Sequence, residues 1–189
     1  MSMVRVYEVL CWFWIASEIL LQVVMRTSRK SGTVKDRGSL LLLLPAIYGA
    51  IWAATWYGYT HGHTMLGGGA WMTLAALELL IAGLVIRWTA ILTLGLSFST
   101  NVAIHATQKL RTVGLFKWVR HPSYTGMIVS FSSIGVMERN WVSLGIMLVV
   151  PTLALLYRIH VEELALREAF GEEYVEYSAR TKRLVPGIY

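Results

Sequence analysis

Residues 141–163 read WVSLGIMLVVPTLALLYRIHVEE, and the reading of that stretch decides the fold. From Trp141 to Tyr157 it carries no charge, and at Arg158 it turns polar with nothing there to stop a helix. Roughly 20 apolar residues at 1.5 Å each carry a helix across about 30 Å of hydrocarbon. The stretch therefore reads as a membrane helix that runs on into a polar segment, with Arg158 and Glu162 placed where hydrocarbon ends. Charge at that depth is costly unless it is paired or given a role.

Working outward, four further apolar stretches approach spanning length: Val4–Met25, Ser39–Tyr59, Ala70–Ile86 and Tyr124–Met137. The 189 residues are 56% hydrophobic and only 15% charged. A soluble domain carries nearer 25% charge. The expected fold is all-α: one polytopic membrane domain over 1–189 with about five spans. Residues 1–98 form its N-terminal spans and 99–189 its C-terminal half. The tight turn Glu138-Arg139-Asn140 makes the last two spans an antiparallel hairpin, and Pro45 and Pro151 lie inside spans. The segment 88–100, WTAILTLGLSFST, fits either the end of the third span or a helix lying at the interface.

The formal net charge of +6 would suggest nucleic acid in a soluble protein, but the basic residues cluster beside apolar spans. That distribution fits an anionic membrane face. Arg26, Arg29, Lys30, Lys35 and Arg37 follow the first span, Lys109, Arg111, Lys117 and Arg120 precede the fourth, and Arg158, Arg167, Arg180, Lys182 and Arg183 follow the fifth. By the positive-inside rule the N-terminus is expected outside, and the C-terminus and the polar stretches 99–123 and 158–189 cytoplasmic. The first stretch has no basic lead or small-residue cleavage site and reads as a retained span. Cys11 is the single cysteine, so no intramolecular disulfide is available. His61, His63 and His105 show no metal-ligand spacing, and Gly67-Gly68-Gly69 lacks the strand and spacing of a dinucleotide fingerprint.

A second polar group is WVRHPSYTG at 118–126. Pro122 has no amide hydrogen and disfavours a helical His121, so a helix begins at Pro122 or Ser123 with free amides at its first turn. His121 and Tyr124 bring hydrogen-bonding rings to that turn, although an interfacial loop touching lipid phosphate uses the same residue types. In RIHVEELALREAFGEEY, the pairs Arg158/Glu162 and Glu163/Arg167 each share a helix face. Glu168, Glu172, Glu173 and Glu176 read as a solvated face. Glu8 and Glu18 read as interfacial or paired inside the bundle, and Glu78 as a deeper acid able to line a cavity.

The stretch KLRTVGLFKWVRHPSYTG, followed after a hairpin by RIHVEELALREAFGEEYVEYSARTKRLVPGIY, resembles the isoprenylcysteine carboxyl methyltransferase family over residues 99–189. The resemblance implies an integral membrane enzyme that uses S-adenosylmethionine to methylate the carboxylate of a lipidated cysteine, with bilayer and amphiphile as its partners and no metal. It implies a cofactor pocket from Asn101, Gln108, Lys109, Leu110, Arg111, Phe116, His121, Pro122, Ser123 and Tyr124, with Glu163 beside them. It also places Arg158 and Glu162 as the substrate-binding and catalytic pair. Phe116 departs from the family, which often has Tyr there, and the short N-terminal region resembles a minimal, prokaryotic form. Phospholipid methyltransferases share the C-terminal pattern, and sterol reductases using NADPH carry a similar RHPxYxG segment. A scaffold that keeps the pocket without turnover is the non-enzymatic alternative.

Overall fold

The computed structural model describes residues 2–24, 33–34, 38–64, 69–95, 98, 103–104 and 110–189. Six helices account for nearly all of its regular structure: α1 (Met3–Val24), α2 (Ser39–His61), α3 (Ala70–Leu94), α4 (Pro122–Met137), α5 (Trp141–Phe170) and α6 (Glu172–Arg180). A 3-10 turn at Gly114–Lys117 precedes α4, and Thr33–Val34 pairs antiparallel with Ala103–Ile104. The expected all-α fold is what is observed. Helices α1, α2, α3 and α5 are long and apolar enough to cross a membrane. Helix α4 has 16 residues, which gives about 24 Å.

The outer faces of these helices carry Trp12, Val23, Leu41, Trp52, Leu92 and Val149, all exposed. Contiguous apolar exposure on this scale is foreign to a soluble monomer and suits a lipid-facing bundle. Inside, α3 packs along α4, α2 along α5, and α4 against α5. The core between them includes Leu43, Ala54, Leu80, Phe131, Met147 and Leu155.

Helix α3 settles the ambiguity for residues 88–94, while 96–97 and 99–100 lie outside the described residues. It continues past Arg87 to Leu94 and stops where Gly95, at φ 53°, donates its amide to Ile91. The left-handed conformation that ends the helix is cheap only for glycine. The hairpin turn is capped as its residue types demand: the Asn140 side chain accepts from the amides of Val142 and Ser143 at 2.9 and 3.3 Å.

The α3–α4 crossing depends on two glycines. A Cβ on Gly126 would stand 2.6 Å from the Gly83 carbonyl oxygen and 2.7 Å from the Arg87 nitrogen. Small residues let membrane helices approach at backbone distance, and here the crossing fixes the first turns of α4. Gly126→Ala is expected to destabilise the fold by about 1–3 kcal/mol through overpacking against backbone that cannot yield. Thermal unfolding in detergent measures this, and an unchanged midpoint would contradict it.

Candidate active site

One chain break and one unbroken helix build the site. Pro122 occupies the first turn of α4, and His121 precedes it at φ −125°, ψ 56°, outside the helical region. The His121 carbonyl accepts from the amides of Tyr124 and Thr125 at 3.0 and 3.1 Å. This local geometry puts the His121 and Tyr124 rings in a stack with centroids 5.6 Å apart and planes 15° apart. Facing them, α5 continues without interruption through Tyr157 into its polar half and presents Arg158, Glu162 and Glu163.

The Tyr124 hydroxyl joins the two groups. It accepts from Arg158 Nε at 3.0 Å and donates to Glu162 Oε2 at 2.8 Å. His121 Nδ1 lies 3.9 Å from the same Glu162 oxygen. A second guanidinium nitrogen of Arg158 donates to the buried Ser39 hydroxyl of α2 at 3.0 Å. Arg158 is itself buried, whereas the Glu162 side chain keeps 32% exposure. The result is a fixed cation beside an accessible carboxylate and two aromatic faces.

Glu163, one residue on, is the hub of a separate buried network. Its carboxylate accepts from Arg120 Nε at 2.9 Å, from Arg183 at 2.9 and 3.1 Å, and lies 3.4 Å from His121 Nε2. Glu163 lies beyond the apolar run that ends at Tyr157. Burial alone would push its carboxyl up, but hydrogen bonds from His121, Arg183 and Arg120 outweigh it and hold the group well below the usual carboxylate range. The C-terminal tail completes this wall. The amides of Arg120 and His121 donate to the carbonyls of Lys182 and Arg183 at 2.8 and 3.0 Å, and Thr125 Oγ1 donates to the Leu184 carbonyl at 2.7 Å.

On the membrane side, Tyr124 and Arg158 face a cavity of about 260 Å³ whose walls include Ile15 and Ile19 of α1 and Leu40 and Ile47 of α2. Glu18 and Arg87 also line it. Arg87 donates to both Glu18 carboxylate oxygens, one of these contacts at 2.6 Å, and to Ser123 Oγ at 2.8 Å. Glu18 thus pairs inside the bundle as expected, and the pair ties α1 to the first turn of α4. The cavity joins apolar surface to a charged end, the shape complementary to an amphiphile.

Of the site residues expected from sequence, Arg158, Glu162, Tyr124, His121 and Glu163 come together. Pro122 is fully buried beneath them, and Ser123 is engaged by Arg87. Phe116 is buried, its carbonyl accepting from the Tyr177 hydroxyl at 2.8 Å. Leu110 is half-buried and Arg111 exposed, while Asn101, Gln108 and Lys109 lie outside the described residues. Glu78 does not line the cavity and is exposed on α3. Arg87, Arg120 and Arg183 were missed as partners. For Arg87 a signal existed: a cation deep in an apolar helix needs an anion, and Glu18 stands on another span. Among the described residues no group of three or more His, Cys, Asp or Glu side chains is arranged to hold a metal ion.

Fold and site together define a multipass α-helical membrane protein with a charged centre at the end of an apolar cavity. Residues 75–168 match the model of the isoprenylcysteine carboxyl methyltransferase (ICMT) family. The match begins inside α3, upstream of the resemblance read from sequence. Protein-S-isoprenylcysteine O-methyltransferase B of Arabidopsis thaliana is 36% identical over 120 residues, covering 62% of this chain and 61% of the relative. The Homo sapiens protein-S-isoprenylcysteine O-methyltransferase is 32% identical over 130 residues, with 62% and 42% covered. The chain thus spans less than two thirds of these relatives. A solved eukaryotic intramembrane Ras methyltransferase, ICMT, superposes with a TM-score of 0.56 at 26% identity, covering 80% of this chain and 50% of that one. These relatives are plant and animal proteins, which corrects the expectation of a specifically prokaryotic type: the matched segment is common to eukaryotic members.

Proposed function

We propose that the protein transfers a methyl group from S-adenosylmethionine to the carboxylate of a lipidated, isoprenylcysteine-like amphiphile at the membrane surface. The observation that carries this reading is the buried Arg158 guanidinium at the charged end of an apolar cavity, hydrogen-bonded through Tyr124 to Glu162. A fixed cation there suits an anionic headgroup. An aliphatic amine, as in phospholipid N-methylation, is protonated near neutral pH, and that ammonium form would meet repulsion from it.

The residues present fit a sulfonium cofactor: Glu162 is a partly exposed carboxylate, and the adjacent rings of His121 and Tyr124 stack. Carboxylate and aromatic faces both attract a cation, the latter by about 0.5–2 kcal/mol. Bound there, the cofactor supplies an electrophilic methyl carbon. Arg158 holds the substrate carboxylate in its planar fork, and Tyr124 fixes the Arg158 orientation. A carboxylate is already ionised near neutral pH, so no strong general base is required. Alignment of reacting groups at about 3–3.5 Å can supply roughly 7–11 kcal/mol. Arg120, Arg183 and Glu163 keep the His121 turn in register.

In this reading the lipid tail lies along the apolar cavity walls that α1 and α2 supply. The C-terminal half and the site face the cytoplasm in this reading, on the strength of the clustered Lys and Arg.

The deciding experiment is S-adenosylmethionine titration of the detergent-purified protein by calorimetry, followed by radiolabelled methyl transfer to a farnesylated cysteine analogue and to phosphatidylethanolamine. Base-labile ester formed on the former supports the reading, and transfer only to the amine lipid replaces it. His121→Ala is expected to weaken cofactor binding by about tenfold through loss of the stack and of the Glu162 contact. An unchanged dissociation constant would remove His121 from the pocket.

A further inference from the structure

The cavity has a far end as well as a charged one. Ser39, which Arg158 engages, opens α2, and the wall residue Ile51 stands twelve residues further on, about 18 Å along the axis. Tyr124 stands in the first turn of α4, and the wall residue Phe131 seven residues further on, about 10 Å along its axis. Both helices lead away from Arg158, so Ile51 and Phe131 mark the opposite end. There the Trp14 ring of α1 meets the Phe131 ring, centroids 5.2 Å apart and planes at 47°. Both line the cavity, and both are buried, at 6% and 2% exposure.

A ring closing an apolar channel yields if it is free to rotate. Trp14 is held instead. Its Nε1 donates to Glu18 Oε1 at 3.2 Å, and Arg87 donates to the same carboxylate, one contact at 2.6 Å, and to Ser123 Oγ at 2.8 Å. A buried indole N–H seeks an acceptor and a carboxylate within a span seeks a cation, so this chain of contacts fixes the ring in one orientation. Between the two ends the inward wall is Leu43, Ile47 and Met127, all buried. The volume of about 260 Å³ lies below the roughly 300 Å³ at which ligand pockets begin. A chain that reaches the ring pair has no slack in which to fold back.

We infer that Trp14 and Phe131 form the stop that sets how long a prenyl tail the cavity accepts, with Glu18 and Arg87 keeping that stop rigid. This deepens the proposed function, since it rests on a prenylated amphiphile occupying the cavity.

The test measures kcat/KM of the full chain in detergent for cysteine analogues with tails of ten, fifteen, twenty and twenty-five carbons. Wild type is expected to lose at least tenfold at the first tail too long for the cavity, since even one surplus methylene in an apolar pocket is worth about ten- to two-hundredfold. Trp14→Ala and Phe131→Ala are each expected to move that fall to a tail one isoprene unit longer. Trp14→Phe, which keeps a ring and loses the bond to Glu18, should leave the fall in place and blunt it. A wild type indifferent to length overturns the inference, as does a fall that both alanine variants leave where it was. Thermal unfolding and S-adenosylmethionine affinity equal to wild type exclude misfolding of the variants. A farnesylcysteine carrying a diazirine at the end of its tail gives a readout on wild type that needs no turnover and no variant. Photolabelling of Trp14 or Phe131 is expected, and labelling confined to other residues overturns the stop. Labelling of the pair without methyl transfer refutes the proposed reaction and leaves the stop standing, whereas methyl transfer indifferent to tail length does the reverse.

Discussion

Arg158→Ala is expected to lower kcat/KM for a prenylcysteine substrate by roughly thirty- to several thousandfold while the S-adenosylmethionine dissociation constant moves little. The range follows from the cost of truncating one partner of a desolvated, hydrogen-bonded charge pair, about 2–5 kcal/mol. Three features set it apart from an ordinary interfacial arginine. It is buried, its Nε is engaged by Tyr124, and another of its nitrogens is engaged by Ser39 of α2. The side chain is thus held in one orientation before any substrate arrives, which is what preorganisation of a carboxylate site requires. Arg158→Lys is informative because it keeps the charge and loses the planar fork. It should recover only a small part of the activity. Tyr124→Phe removes the hydroxyl that links Arg158 to Glu162 and is expected to fall between wild type and Arg158→Ala. If Arg158→Ala loses cofactor binding while the remaining complexes turn over normally, the assignment to substrate fails.

What the sequence made legible, and what it did not, follows from the reach of each interaction. The start of α4 and the continuity of α5 were readable because a proline and an unbroken helical run act within a few residues. The convergence of His121, Tyr124, Arg158 and Glu162 followed once those two elements were placed as neighbours. The end of α3 was not readable, since Thr, Ser and Gly in 88–100 suit a span terminus and an interfacial helix equally. Only the backbone of Gly95 decides it. Glu163 was paired with Arg167 by helical spacing, yet its carboxylate is taken by Arg120 and Arg183, 43 and 20 residues away. Spacing along a helix is a local rule, worth about 0.3–0.5 kcal/mol for such a pair. A buried site with two guanidinium groups and His121 competes far more strongly.

That competition makes Glu163→Ala the other substitution of large effect. The Glu163 side chain is 5% exposed, and its removal leaves Arg120, itself 11% exposed, without its anion. Breaking a buried ionic network from one side costs about 3–5 kcal/mol. Arg183, more open to solvent, contributes less. The consequence reaches the site because the hub holds the tail against the strand-like segment before α4, and that segment carries His121. Glu163→Ala should therefore expose the bonds after Arg180 and Lys182 to trypsin and weaken cofactor binding together. Acid should imitate the substitution in wild type. A carboxyl held below its ordinary range stabilises the fold above the unfolded value, near 4.3, and that contribution is lost as pH falls from there toward the folded value. Thermal unfolding in detergent between neutral pH and pH 3 is expected to show an acid limb that flattens in Glu163→Gln, which has no carboxyl to protonate. A limb of equal steepness in both proteins, with the tail equally resistant to trypsin, would show that the wall beside His121 is held by something other than Glu163.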